Sequence, residues 1–462
     1  MPAVTALLRR AARRIGQTPP LVIVAIAWLI LIVYAFPGQM TQDSFDHLRE
    51  ARERRYTDSH PPAMNLVWAI AEYFVHGPFG MLVVQTVAFV AGLYLVFRRT
   101  FAPRGAAWAA AGVTLLPPVM LPMAVIWKDC LMAGFLLLGC GAMRAEHRGV
   151  RLLGLGALWV ASAVRYNAFA ATLPLIVLLF VWRPELPPLR RYAIAAAAWL
   201  VITVAAFAAN TALTDQKMHF WHSSLAVYDI CGTLAFVDED LPDEELREEL
   251  AGTQLLIERD IHDAIRRVYS PRDYQQIIKN GVGPRTHPPI WDLPINLYAP
   301  APEAQRDALE RAWKRIVASH PMAYAKHRLS VFAEVIYLGD RRPEPVTRRE
   351  FGYPEYAKEL GLGTGWSKLQ RRMTRWMVKV GKLPLFSPWM YLALALALAP
   401  LALRARALAA LLVSGVLFEM TLLPLAASPD YRYSHWMILC TVIVAVELVA
   451  RRARGRSPGA PS

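Results

Sequence analysis

Ten apolar runs punctuate this chain, most of them separated by short loops that carry arginine, and that pattern constrains the fold more than any other feature. The runs fall near 21–36, 79–97, 106–126, 130–143, 152–166, 168–182, 192–210, 385–403, 407–426 and 435–450. A bilayer crossing needs roughly 17–25 mostly apolar residues. Backbone polar groups have no water to bond inside lipid, so such runs must be helical. Hydrophobic residues make up 55% of the 462, and the mean hydropathy is +0.29. In a soluble protein a net charge of +15 would suggest nucleic acid. Here the basic residues sit largely in short loops, which reads as a topological bias and not as a nucleic-acid surface. Cys130, Cys140 and Cys440 lie in apolar runs, Cys231 stands alone, and no CxxC pair occurs, so neither a disulfide framework nor a zinc site is expected. No Walker or GxGxxG loop supports nucleotide chemistry.

Charge sets the expected topology. Arg9, Arg10, Arg13 and Arg14 precede the first run and place the N-terminus in the cytoplasm. That run ends in Pro37-Gly38-Gln39-Met40 and not in a small-x-small cleavage site, so it reads as a retained span. Cytoplasmic loops then follow at Arg98/Arg99/Arg104, Arg144/Arg148/Arg151, Arg183/Arg190/Arg191 and Arg404/Arg406, and both termini are cytoplasmic. The expectation is an all-α polytopic membrane protein of about ten spans. Residues 1–210 form an N-terminal membrane module with a first outer loop at 38–78, and 211–384 an extracytoplasmic helical region. Residues 385–452 form the C-terminal spans, and 453–462 a disordered tail. Within the first outer loop, 63–75 is apolar but too short to cross, which suits a helix lying at the interface.

With this topology the polar residues that interrupt the apolar part fall on the outer side. Asp43 follows the first run, where it reads either as a helix cap or as a general base whose pKa is raised by partial burial. Asp58-Ser59-His60-Pro61-Pro62 reads as a turn into a helix, with His60 available to orient a phosphate or hydroxyl. A second such run, Thr286-His287-Pro288-Pro289, shows that the pattern alone is not specific. Lys128, Arg165 and Arg432 each begin or end a run on that side, where the topological bias disfavours cations. Trp127, Asp129, Tyr166, Asn167, Tyr431 and Tyr433 flank them and supply hydrogen-bonding groups. A phosphate held by at least two of the three cations is the functional reading, and snorkelling is the structural one. His219 and His222 read as surface residues, and Glu419 is a costly group inside a span. No residue set assigns a metal or an organic cofactor, and a divalent ion is neither required nor ruled out.

Taken in order, Asp43-Ser44, His60-Pro61-Pro62, Trp127-Lys128-Asp129, Arg165-Tyr166-Asn167, His320-Pro321-x-x-Tyr324 and Asp430-Tyr431-Arg432-Tyr433 resemble the GT-C-type glycosyltransferases. That superfamily includes the protein mannosyltransferases and the bacterial aminoarabinose transferases. The resemblance covers about 20–450 and is specific only as an ordered set. Where those families tend to carry Asp-Glu in the first loop, this chain has Asp43-Ser44, which weakens any two-carboxylate scheme. The resemblance implies a GT-C-like bundle with outer juxtamembrane helices in a bacterial cytoplasmic membrane. It further implies transfer of a hexose or pentose from a polyprenyl-phosphate donor to a lipid, polysaccharide or protein hydroxyl on the outer face. A polyprenyl phosphate leaves as a stable anion, so one base and a set of cations suffice, unlike the two carboxylates of glycoside hydrolysis. Two other classes use similar residues. A transporter or flippase of a lipid-linked or anionic substrate places its polar site at the bilayer midplane, unlike the end-clustered groups here. An outer-face ligase with a diphosphate-lipid donor is not separated from the transferase by sequence.

Overall fold

The computed structural model describes residues 17–179, 185–254, 260–278, 300–338, 354–363 and 365–455. The N-terminal arginines, Arg183, the Thr286–Pro289 run and the tail 457–462 lie outside the described residues. Among those described, the chain is helical, with two isolated parallel bridges, Gln39 to Val125 and Thr57 to Gln216.

Among the described residues, each of the ten apolar runs forms helix. The first seven correspond to α1 (Pro20–Ala35), α4 (Pro78–Phe97), the pair α5 (Pro103–Leu115) and α6 (Pro117–Met123), α7 (Lys128–Met143), α8 (Arg148–Val164), α9 (Ala168–Leu179) and α10 (Pro188–Leu213). Between α1 and α4 lie α2 (Gln42–Glu53) and α3 (Pro62–Phe74). By length and composition four helical stretches among the described residues are able to cross a membrane: α4, α10, 406–425 and 431–454. A fifth joins them if the α5–α6 pair, bent by 72°, is one span. The bend has a local cause: Leu116 precedes Pro117-Pro118 and is extended (φ −64°, ψ 121°), the conformation a following proline imposes.

Close helix contact depends on small residues. A side chain at Gly92 of α4 would meet the backbone nitrogen of Leu138 in α7 at 2.6 Å, and one at Gly134 of α7 would meet the Phe89 nitrogen at 3.1 Å. Glycine lets these two helices approach until their backbones nearly touch. On α3, Leu66, Ile70, Tyr73 and Phe74 are exposed at helical spacing, the stripe that an interfacial helix offers to lipid.

The stretch from 211 onward holds a second, separate core. It is built from α11 (Val227–Ala235), preceded by a π-helical stretch at Trp221–Ala226, α12 (Asp243–Glu249), α13 (Ile261–Val268), α14 (Gln275–Ile278), α15 (Glu303–Ser319) and α16 (Pro321–Val335). The sequence between 238 and 263 is rich in acidic residues, and its described part holds α12 and the start of α13; the amphipathic sequence from 304 to 338 is divided between α15 and α16 at His320-Pro321. After α17 (Pro354–Glu359) and α18 (Lys368–Val380), the chain re-enters the bundle as α19 (Pro388–Ala402), α20 (Arg406–Met420), the short α21 (Leu422–Leu425) and α22 (His435–Gly455).

The second core is tied down by buried charge. Asp229 of α11 accepts a hydrogen bond from Trp313 Nε1 (2.9 Å), pairs with Arg328 and faces His327 Nε2 at 3.2 Å. Arg328 also donates to the Ala426 carbonyl at 2.7 Å, so this core holds the loop that leads to Asp430. Leu422 and Ala426 belong to its apolar cluster as well.

Candidate functional site

The site begins with the way the chain leaves α1. Gln39 bonds alongside Ala124–Ile126 (Gln39 N to Ala124 O 3.1 Å; Ile126 N to Gln39 O 2.9 Å). Ser44 then donates to the Ile126 carbonyl at 2.7 Å and accepts from the Thr41 backbone at 3.0 Å, while Trp127 Nε1 donates to Thr41 Oγ1 at 3.0 Å. Thr41 and Ser44 thus form the capping box of α2, and Asp43 is left in the first turn with its carboxylate free for another task. The capping role considered for Asp43 falls to its neighbours. Ser44, which departs from the Asp-Glu pattern, has a structural duty in holding α2 against the α6–α7 connection.

Asp43 meets Arg432. Its Oδ2 lies 2.7 Å from an Arg432 terminal nitrogen, and Asp430 takes the Arg432 Nε at 2.9 Å. The same guanidinium lies over Trp127 (4.9 Å to the ring centroid) and Tyr433 (5.3 Å). Arg165 lies over the Tyr433 ring too, at 5.3 Å, so two cations from distant parts of the sequence share one aromatic ring. Arg165 pairs with Asp129 and donates to Asn167 Oδ1 at 2.9 Å, and Asn167 donates to Thr421 at 2.7 Å. Lys128 donates to His60 Nδ1 at 2.8 Å and, among the described residues, has no carboxylate in ion-pair reach. The three cations, Asp43 and His60 therefore gather at one end of the helices.

The remaining sequence candidates are placed as follows. Asp58 accepts from the Met218 backbone at 2.5 Å, and its carbonyl takes the Tyr166 hydroxyl at 3.4 Å. It is a tie between the first loop and residues 215–218. Tyr431 is buried and donates to the Pro118 carbonyl at 3.2 Å. Glu419 accepts from Ser434 at 2.8 Å. His219 and His222 are half-buried, with rings 5.9 Å apart, and no group of three or more metal-type ligands occurs among the described residues.

One expectation is reversed. Burial acts to raise the Asp43 carboxyl, but Arg432, with His60 and Lys128 behind it, outweighs burial and holds it well below the usual carboxylate range. The same surroundings depress the histidines. Burial and then Lys128 push His60 well below its ordinary value, and His47 down to about 4.

Three residues of this neighbourhood were not singled out from the sequence. His47, one turn after Asp43 on the same face of α2, is buried, and its Nδ1 lies 2.5 Å from Asn65 Oδ1. Asn65 Nδ2 donates to Glu50 at 2.5 Å, and Glu50 also accepts from Thr57 Oγ1 at 2.8 Å. The i, i+4 and i+7 spacing of Asp43, His47 and Glu50 was visible, but the cross-link to Asn65 on α3 was not.

No family model and no curated protein matches this chain. Among solved structures, the crystal structure of ArnT from Cupriavidus metallidurans bound to undecaprenyl phosphate aligns with 94% of this chain and 78% of that one. The identity is 14% and the TM-score 0.35, a likeness too slight to carry an argument.

Proposed function

We propose that the chain is a GT-C-type glycosyltransferase that moves a sugar from a polyprenyl-phosphate donor to a hydroxyl acceptor at the outer face of the cytoplasmic membrane. The observation that carries this reading is the gathering of Lys128, Arg165 and Arg432 around Asp43 at the end of apolar helices. Cations beside a carboxylate at that depth suit a lipid whose phosphate sits at the bilayer surface. Lys128, lacking a carboxylate partner among the described residues, is the first charge to offer a phosphate; Arg432 is the second, on leaving Asp43. That exchange also frees the base. Once Arg432 turns to the phosphate, the Asp43 carboxylate loses the partner that depresses it and takes the acceptor hydroxyl proton as that oxygen bonds to the anomeric carbon and the C–O bond to the leaving phosphate breaks. Cations aimed at the leaving oxygen stabilise the charge that develops there, typically by roughly 3–4 kcal/mol for one such donor.

The test joins binding to phenotype. Lys128→Ala and Arg432→Ala should each weaken binding of undecaprenyl phosphate in detergent by about tenfold or more, with the protein inserted normally. A strain deleted for the gene should lose one class of envelope glycan, restored by the wild-type chain alone. Unchanged binding in both variants, or export of an intact lipid-linked glycan without new glycosidic bonds, defeats the reading; the second result would point to a flippase.

A further inference from the structure

The His47 imidazole is the most informative group that the proposed chemistry leaves unused. It is 2% exposed, and its Nε2 has no hydrogen-bond partner among the described residues. Buried polar atoms are rarely left so, because the lost hydration is not recovered. The tautomer follows from the chain behind it. Glu50 is a carboxylate and only accepts, so the Asn65 amide must present its nitrogen to Glu50 and its oxygen to His47. Asn65 Oδ1 only accepts, so His47 carries its proton on Nδ1. In the neutral ring, Nε2 is then a bare lone pair that needs a donor and repels a phosphate oxygen.

Its surroundings say which donor. The His47 ring lies 4.8 Å from the His60 ring, and His60 is held by Lys128. Asp43 stands one turn away on α2, and Lys128 and Arg432 act on His47 electrostatically. The phosphate-holding cations and the bare lone pair are thus neighbours with opposite requirements. We propose that His47, oriented by Asn65 and Glu50, forms a hydroxyl-recognising subsite that accepts a hydrogen bond from the donor sugar next to the phosphate subsite. This rests on the glycosyl-transfer reading and adds to it a residue that selects for the sugar. Burial, with Lys128 behind it, keeps the imidazole neutral at pH 7, as the role requires. A site built around one hydroxyl rejects a ligand that lacks it far more strongly than an apolar pocket does.

Binding separates the two subsites without knowledge of the acceptor. Undecaprenyl phosphate and a panel of undecaprenyl-phosphate hexoses and pentoses serve as probes in detergent, with wild type, His47→Phe, His47→Gln and Lys128→Ala. In wild type at least one sugar-bearing lipid should bind tighter than the bare phosphate. His47→Phe should weaken that lipid about 10- to 100-fold and leave the bare phosphate within twofold. His47→Gln, whose amide oxygen reaches the Nε2 position, should regain most of the loss, which a purely structural ring would not. Lys128→Ala should weaken both probes. Nitrogen NMR of histidine-labelled wild type should show His47 neutral and protonated at Nδ1. A proton on Nε2, or equal loss of both probes in His47→Phe, overturns the subsite and leaves glycosyl transfer standing. Failure of every probe to bind wild type overturns both.

Discussion

At the scale of single residues, the site is balanced charge by charge. Asp43, Asp129 and Asp430 stand against Arg165 and Arg432, with Lys128 the cation lacking a carboxylate partner among the described residues. Asp43→Asn keeps the shape and removes proton acceptance. If Asp43 is the base, glycan formation should fall by about 10²–10⁴-fold while undecaprenyl phosphate still binds. Retained activity would remove the assignment. A second expectation concerns acid. The His47 pKa is depressed in the folded chain to about 4 from 6.5, so its contribution to stability is complete above pH 6.5 and is lost as pH falls toward 4. Wild type should lose up to about 1.4 kcal/mol per pH unit across that window relative to His47→Phe. Parallel melting curves for the two proteins in detergent would show that the histidine is not held neutral. His47 escaped the sequence reading because a histidine on a charged helix looks like a solvated one. Its burial is decided by α3, which the sequence shows only as an apolar stretch too short to cross.

At the scale of elements, the loop that bears Asp430 and Arg432 is held from both sides. Arg328 on α16 bonds to Ala426 and pairs with buried Asp229. Removing one partner of a buried pair strands the other, at a typical cost of about 3–5 kcal/mol. Arg328→Leu should therefore lower the thermal midpoint sharply, and Asp229→Asn in that background should recover part of the loss. A neutral Arg328→Leu would mean that Asp229 is satisfied by Trp313 and His327 alone. Packing between α4 and α7 makes a parallel demand. Gly92→Ala places a methyl within 2.6 Å of Leu138 N, an overpacking that typically costs about 1–3 kcal/mol. Helix positions were legible from apolar runs bounded by proline and arginine. The break at His320-Pro321 and the division of the acidic stretch were not, because helix-forming residues continue on both sides of each interruption.

For the whole molecule, the topology is open to direct measurement. Reporter fusions after Arg104 and after Ala251 should report opposite compartments, cytoplasmic and outer. The same compartment for both would undo the one-sided placement on which the proposed donor access depends. The sequence by itself determined that the chain is helical and apolar, where its apolar helices lie and which polar residues interrupt them. It did so because lipid admits only internally bonded backbone and because a helix needs nothing beyond its own segment to satisfy that rule. Only the tertiary structure decided the partners: that Arg432 takes Asp43, that Thr41 and Ser44 relieve Asp43 of capping, and that His47 keeps a lone pair free. The first and last of these join residues 389 and 18 positions apart. They depend on how helices pack end to end, which periodicity along one helix does not encode.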